Sequence, residues 1–168
     1  ACGALMDYSE RMLRAVIAGI PDGEYEADDV MDDDGFGSGP LPVRVTVRIE
    51  GDGAELDFRG SAAQATGGVN ANRAVTLSAC LYVFRCLLPP SVPENDGLLR
   101  PLRLVTEPGS IVDAVEPAAV AGGNVETSQR ITDVLLRALS RALPDRVPAA
   151  SAGTMCNLSV GGADGRGR

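Results

Sequence analysis

Residues 41–59 read LPVRVTVRIEGDGAELDFR. Leu41, Val43, Val45, Val47 and Ile49 alternate without a break against Arg44, Thr46, Arg48 and Glu50, the two-residue period of a strand with one buried and one wet face. Gly51-Asp52-Gly53 then supplies a turn, and Ala54 to Arg59 alternates again. The stretch therefore predicts a β-hairpin.

The flanks predict helices. Upstream, Asp7 to Ile20 starts with Asp7 at an N-cap position and Glu10 three residues on, places Met12, Val16, Ile17 and Ile20 near one face, and stops at Pro21-Asp22-Gly23. Downstream, a polar, Gly-rich loop from Gly60 to Asn70 enters an apolar run from Ala74 to Leu88. The length of that run favours a buried helix over a strand, with Asn70 or Asn72 as cap and Pro89-Pro90 as stop. Pro93 to Gly97 reads as a turn and Leu102 to Val105 as a short strand. From Val125 to Leu143, residues Ile131, Val134, Leu135, Ala138, Leu139, Ala142 and Leu143 keep helical spacing, leaving Gln129, Arg130, Asp133, Arg137 and Arg141 on the wet side. This mixture predicts an α+β or mixed α/β fold: a β-hairpin with buried and amphipathic helices, one partial domain over residues 1–168, and a disordered tail over 161–168.

The chain has 168 residues, 45% of them hydrophobic and 23% charged, enough to bury a core and too apolar for wholesale disorder. All 15 basic residues are Arg, and there is no His. Without Lys there is no Walker A phosphate loop and no Schiff-base lysine. Without His there is no Ser-His or Cys-His nucleophile pair and no imidazole metal ligand, so no metal residue is assigned. A net charge of −8 argues against nucleic acid or an anionic membrane as partner. The longest apolar run contains Arg85 and is too short to span a bilayer. Cys2, Cys80, Cys86 and Cys156 show no CxxC spacing and read as reduced thiols, so a cytoplasmic location is expected.

Several motifs fail on inspection. The run EYEADDVMDDD, Glu24 to Asp34, fits a calcium loop at Asp32, Asp34 and Gly35, but Val30 and Leu41 occupy the first and twelfth positions, where carboxylates are needed. It is read as a solvated acidic loop. Gly35 to Gly39 lacks the GxGxxG spacing. Ala149 to Gly153, AASAG, loosely resembles a nucleophile elbow, but no His exists to activate Ser151. Two loops hold more promise: Asp57 to Asn70, with Asp57, Ser61, Gln64 and Asn70 among glycines, and Ala121 to Thr127, with Asn124, Glu126 and Thr127. Each leads into a helix, so their N–H groups can either meet an anion or carbonyl oxygen at one shared site or serve as ordinary caps.

The strings IPDGEYEADDVMDDDG (Ile20 to Gly35), DFRGSAAQATGGVN (Asp57 to Asn70), PENDGLLRPL (Pro93 to Leu102), EPGSIVDAVEPAAVAGGNVETSQRITD (Glu107 to Asp133) and ALPDRVPAASAG (Ala142 to Gly153) resemble the hydantoinase B/oxoprolinase family. The resemblance implies the B-type component of an ATP-dependent cyclic-amide hydrolase, of the N-methylhydantoin or 5-oxoproline type. The alternatives are a component of an acetone or acetophenone carboxylase and a non-catalytic assembly module. It further implies an internal fragment of a longer polypeptide, inactive alone and part of a hetero-oligomer with a hydantoinase A-like, ATP-binding partner. ATP would lie on that partner and a divalent metal on residues upstream, with no cofactor held by this segment. By motif position Asp57, Gly60, Ser61, Gln64, Gly67 and Asn70 match a DFxGS loop, Asn95, Gly97, Arg100 and Pro101 a PxNxGxxRP segment, and Gly123, Asn124, Glu126, Thr127 and Arg130 a GNxET helix entrance. The substrate-binding candidates are accordingly Asp57, Ser61, Gln64, Asn70, Arg100, Asn124, Glu126, Thr127 and Arg130. Asn70 and Asn124 are expected to orient a carbonyl or carboxylate, and Arg100 or Arg130 to balance its charge.

Overall fold

The computed structural model describes residues 2–156, 158, 160 and 161. The predicted hairpin is present: β2 (Leu41–Glu50) pairs antiparallel with β3 (Gly53–Asp57), Val47 opposite Leu56. The odd-numbered residues of β2 are buried. They face α2 (Arg73–Cys86) and α3 (Thr127–Ser140) through one core that includes Leu56, Phe58, Val83, Phe84, Ile131, Leu135 and Leu139. β1 (Gly23–Met31) and β4 (Leu102–Val105) complete a mixed sheet of order β1-β2-β3-β4, in which only β3 and β4 run parallel. α1 (Cys2–Ile17) buries Ser9, Leu13 and Ile17 and packs against a short 3-10 turn over Asp96–Leu99.

The acidic run is not a solvated loop. Most of it is β1, paired along its length with β2 from Gly23 opposite Ile49 to Met31 opposite Leu41. Side-chain alternation turns Tyr25, Ala27 and Met31 toward the core, while Glu24 and Asp28 sit opposite Arg48 and Arg44. Glu24 pairs with Arg48 at 2.7 Å, and such cross-strand pairing offsets the weak strand preference of Asp and Glu.

Two helix boundaries move, and the choice of cap for a third helix is decided. α1 starts at Cys2, so Asp7 is not a cap; it and Glu10 both bind Arg100 at 2.8 Å. Asn72 rather than Asn70 caps α2, its Oδ1 accepting from the Val75 N–H at 3.0 Å. The last helix is shorter than its periodic pattern, because the Gly122–Asn124 3-10 turn occupies its entrance. Residues 149–153 are neither strand nor helix, and Ser151 Oγ donates toward the Asp133 carboxylate at 3.3 Å. Of the predicted tail, residues 162–168 lie outside the described residues. No helix among the described residues is long and apolar enough to cross a membrane.

Candidate functional site

The two Gly-rich loops meet. The Gly122 N–H donates to the Gly68 carbonyl at 2.6 Å, and Thr127 Oγ1 donates to the Val69 carbonyl. A side chain at Gly123 would collide with the backbone of Asn70, so only glycine lets the second loop lie this close to the first. Asn70 is fully buried between them. Its Oδ1 accepts from the Ala65 N–H at 2.6 Å, and its Nδ2 faces the carbonyls of Ala65, Gly67 and Ala119 at 2.9, 3.0 and 2.9 Å. With both ends of the carboxamide engaged, Asn70 holds the loops together.

A third loop joins the cluster through a residue that sequence reasoning missed. Asp34, 6% exposed, lies in the β1–β2 connection. Its Oδ2 accepts from Ser38 Oγ at 2.7 Å and the Gly67 N–H at 2.8 Å, while Oδ1 accepts from the Phe36 N–H at 2.9 Å. Together the Ser38 hydroxyl and these N–H groups hold the Asp34 carboxyl well below the usual carboxylate range, against the opposing effect of burial. The local signal was the Asp-Gly-Phe-Gly-Ser order, in which Asp can fold over the N–H groups that follow it.

The other candidates divide between positions. Asp57 ends β3, where Arg59 grips it with Nη2 at 2.5 Å from Oδ2 and lowers its pKa. Ser61 Oγ bonds the Phe58 carbonyl at 2.8 Å and accepts from the Arg44 N–H at 3.1 Å. Gln64 Oε1 accepts from the Val115 N–H at 2.9 Å. Arg100 is bound to α1 rather than to either loop. Glu126 Oε1 accepts from Thr154 Oγ1 at 2.7 Å, and Arg130 pairs with Asp29 Oδ2 at 2.8 Å. Burial pushes the Asp29 carboxyl up, but hydrogen bonds from the Val30 N–H and from Arg130 outweigh it and leave its pKa lowered. The structure thus gathers Asn70 and Thr127 in one buried knot, with Asn124, Glu126 and Arg130 along the adjoining entrance to α3.

Next to that entrance the surfaces of α2 and α3 part into a groove of about 540 Å³. Val75, Ala79, Tyr82 and Met155 give it an apolar lining, and Asn72, Asn124 and Gln129 bring three carboxamides to it. Asn124 is exposed, and neither its side chain nor that of Gln129 makes a hydrogen bond among the described residues. A carboxamide carries both donor and acceptor, so this lining can meet a neutral, compact molecule that itself offers an N–H and a C=O. Asn72 and Gln129 were not among the candidates, since a cap and a wet-side residue look alike whether or not a groove opens beside them.

Among the described residues no group of three His, Cys, Asp or Glu is placed to hold a metal ion. The donor set therefore does not fit the divalent metal that the resemblance implies for the larger protein. Among the described residues lining the groove there is no carboxylate and no Arg, and the titratable group is the Tyr82 phenol, whose pKa the neighbouring Cys86 thiol pushes up, so it stays neutral and the chemistry of the groove is binding and orientation.

Comparison with known proteins gives these motifs a family. The model describing hydantoinase B/oxoprolinase matches residues 1–168. The chain is 38% identical over 136 residues to 5-oxoprolinase 1 of Arabidopsis thaliana, covering 81% of this chain and 10% of that protein. It is 34% identical over 152 residues to the 5-oxoprolinase of Saccharomyces cerevisiae, covering 90% of this chain and 11% of that one. Among solved structures, the ATP-dependent caprolactamase from Pseudomonas jessenii superposes with a TM-score of 0.76 and 28% identity, over 86% of this chain and 25% of that one. The chain thus spans about a quarter or less of the length of these relatives. By sequence along its whole length, and by the mixed sheet and helices it shares with the caprolactamase, the chain belongs to the hydantoinase B/oxoprolinase family.

Proposed function

We propose that the chain is a segment of the B-type component of an ATP-dependent cyclic-amide hydrolase, and that the α2–α3 groove receives one face of the cyclic amide. The observation that supports this best is the pairing of apolar walls with the unengaged carboxamides of Asn124 and Gln129 at the GNVET helix entrance. A lactam or hydantoin ring presents methylene groups beside a cis amide. Val75, Ala79 and Tyr82 would pack against the ring, and the carboxamides would pair with its N–H and C=O.

An unactivated lactam carbonyl is a poor electrophile, and phosphorylation of its oxygen turns that oxygen into a leaving group. Nucleotide binding is assigned to a hydantoinase A-like partner on the family resemblance, and the lack of a Lys for a phosphate loop in this chain agrees with that. The work of this segment is to fix the ring so that its carbonyl is presented in one orientation, a contribution through positioning. Asn70, Thr127 and Asp34 serve that work from beneath, by holding the loops that set the position of Asn124.

The test is an assay of the intact protein with its ATP-binding partner, following ADP release and ring opening with 5-oxoproline, hydantoin and caprolactam. ADP formation that depends on a cyclic amide and matches ring opening one for one supports the reading. ADP formation that depends instead on a ketone and bicarbonate contradicts it in favour of a carboxylase. No turnover with either class, from a partner that binds the chain, contradicts it in favour of an assembly module.

A further inference from the structure

A second concave surface lies away from the groove, where the β1–β2 ladder meets the loop after β3 and the second half of α3. It is a cleft of about 680 Å³ that draws together Arg44, Arg59, Arg137 and Arg141, with Glu26 and Asp28 as its acidic members. In a chain of net charge −8 this is a local reversal of sign. Four guanidinium groups face Glu26 and Asp28 within the lining, and with Arg59 already paired to Asp57 one positive charge is left over.

The arginines are held in different ways. Arg59 is clamped on Asp57, with Nε at 2.9 Å from Oδ1 and Nη2 at 2.5 Å from Oδ2. Arg137 donates from Nη1 to the Asp28 carbonyl at 2.8 Å. Arg44 is fixed at its backbone, where its N–H donates to Ser61 Oγ at 3.1 Å. The guanidinium groups of Arg44 and Arg141 have no carboxylate partner among the described residues. Two anchored cations and two uncommitted ones therefore share one cleft, and the DFRGS loop, which the groove does not use, supplies Arg59 and braces Arg44.

We propose that this cleft is a binding site for a small dianionic oxyanion of the phosphate class, either free phosphate or a phosphate monoester. The planar donor fork of Arg matches phosphate oxygens two at a time, and Arg44 and Arg141, which have no ion pair among the described residues, are left to meet the charge of the oxyanion. Each exposed pair contributes little alone, so the site depends on several arginines converging on one ligand. This inference stands independently of the cyclic-amide reading.

The experiment titrates inorganic phosphate and, separately, glycerol 3-phosphate into the intact protein at constant ionic strength, followed by calorimetry. Saturable binding is expected, weakened at least tenfold by the double substitution Arg44→Ala with Arg141→Ala, and unaltered by Arg103→Ala, whose partner is Glu55 elsewhere on the sheet. Glu26→Gln removes a competing charge and is expected to tighten binding several-fold, a gain that misfolding does not produce. The tighter of the two probes identifies the source of the oxyanion. The proposal is overturned if neither probe saturates, if the double variant binds like the parent, or if Arg103→Ala weakens binding as much as the double variant does.

Discussion

The Asp34 carboxylate accepts a hydrogen bond from the Gly67 N–H at 2.8 Å, across 33 positions of sequence, and so ties the β1–β2 connection to the loop that precedes α2. The same carboxylate bonds Ser38 and the Phe36 N–H, which keeps it ionised below the ordinary aspartate value of 3.8. Its folded-state pKa is lower than its unfolded one, so its stabilising effect is fully present above that ordinary value and is lost as pH falls below it toward the folded pKa. Asp34→Asn should therefore speed exchange of the Gly67 N–H at neutral pH and flatten its dependence on pH below 4. Hydrogen exchange by mass spectrometry of the intact protein measures both, and equal exchange in parent and variant at pH 7 would show that the tie does not hold the loop.

Substitution of Gly123 separates close packing from backbone freedom. Gly123→Ala drives a methyl group into the Asn70 backbone and should cost about 2 kcal/mol. Gly3→Ala, in α1 with nothing within 4 Å, should instead stabilise by roughly 0.5 kcal/mol. Denaturant unfolding midpoints check the pair, and similar shifts in one direction would contradict the interlocked loops.

Asn70→Ala should destabilise by roughly 2 kcal/mol, since it leaves the Ala65 N–H and the buried Gly67 carbonyl without a partner and frees the carbonyls of Ala65 and Ala119. Asn70→Asp should not rescue it, because a carboxylate cannot donate to those carbonyls. Rescue by Asp in the same unfolding measurement would point to a role in binding rather than bracing.

The thiols should differ sharply. Cys80 is fully buried in α2, and burial pushes its pKa up, whereas Cys2, Cys86 and Cys156 are exposed. Iodoacetamide on the folded protein, followed by peptide mass mapping, should modify the three exposed thiols and spare Cys80 until denaturant is added. Early labelling of Cys80 would mean that the α2–α3 core opens on the timescale of the reaction.

Much of the fold was legible because burial and periodicity coincide. In β2 and α3 every second residue, or every third and fourth, meets the core, and the pattern survives in the sequence. β1 was not legible, since its strand character comes from backbone pairing with β2 and from the Arg48–Glu24 ion pair rather than from its own Asp and Glu residues. The composition of the two Gly-rich loops left open whether they share one place or cap two helices separately, and neither their meeting nor the side chains that lock them could be read from it. Asn70 and Asn124 look alike in sequence, yet one is buried with its amide engaged and the other is exposed beside a groove that only the packing of α2 on α3 creates.

The most direct test of the central claim is the steady-state kinetics of the intact complex carrying Asn124→Ala together with Gln129→Ala. Both side chains border the groove without a hydrogen bond to the rest of the fold among the described residues, so unfolding midpoints should stay unchanged. If the groove orients the cyclic amide, kcat/KM for it should fall by roughly tenfold to a hundredfold, the equivalent of one or two lost hydrogen bonds, with ATP binding unaltered. An unchanged kcat/KM in a folded, partner-bound variant would contradict the claim.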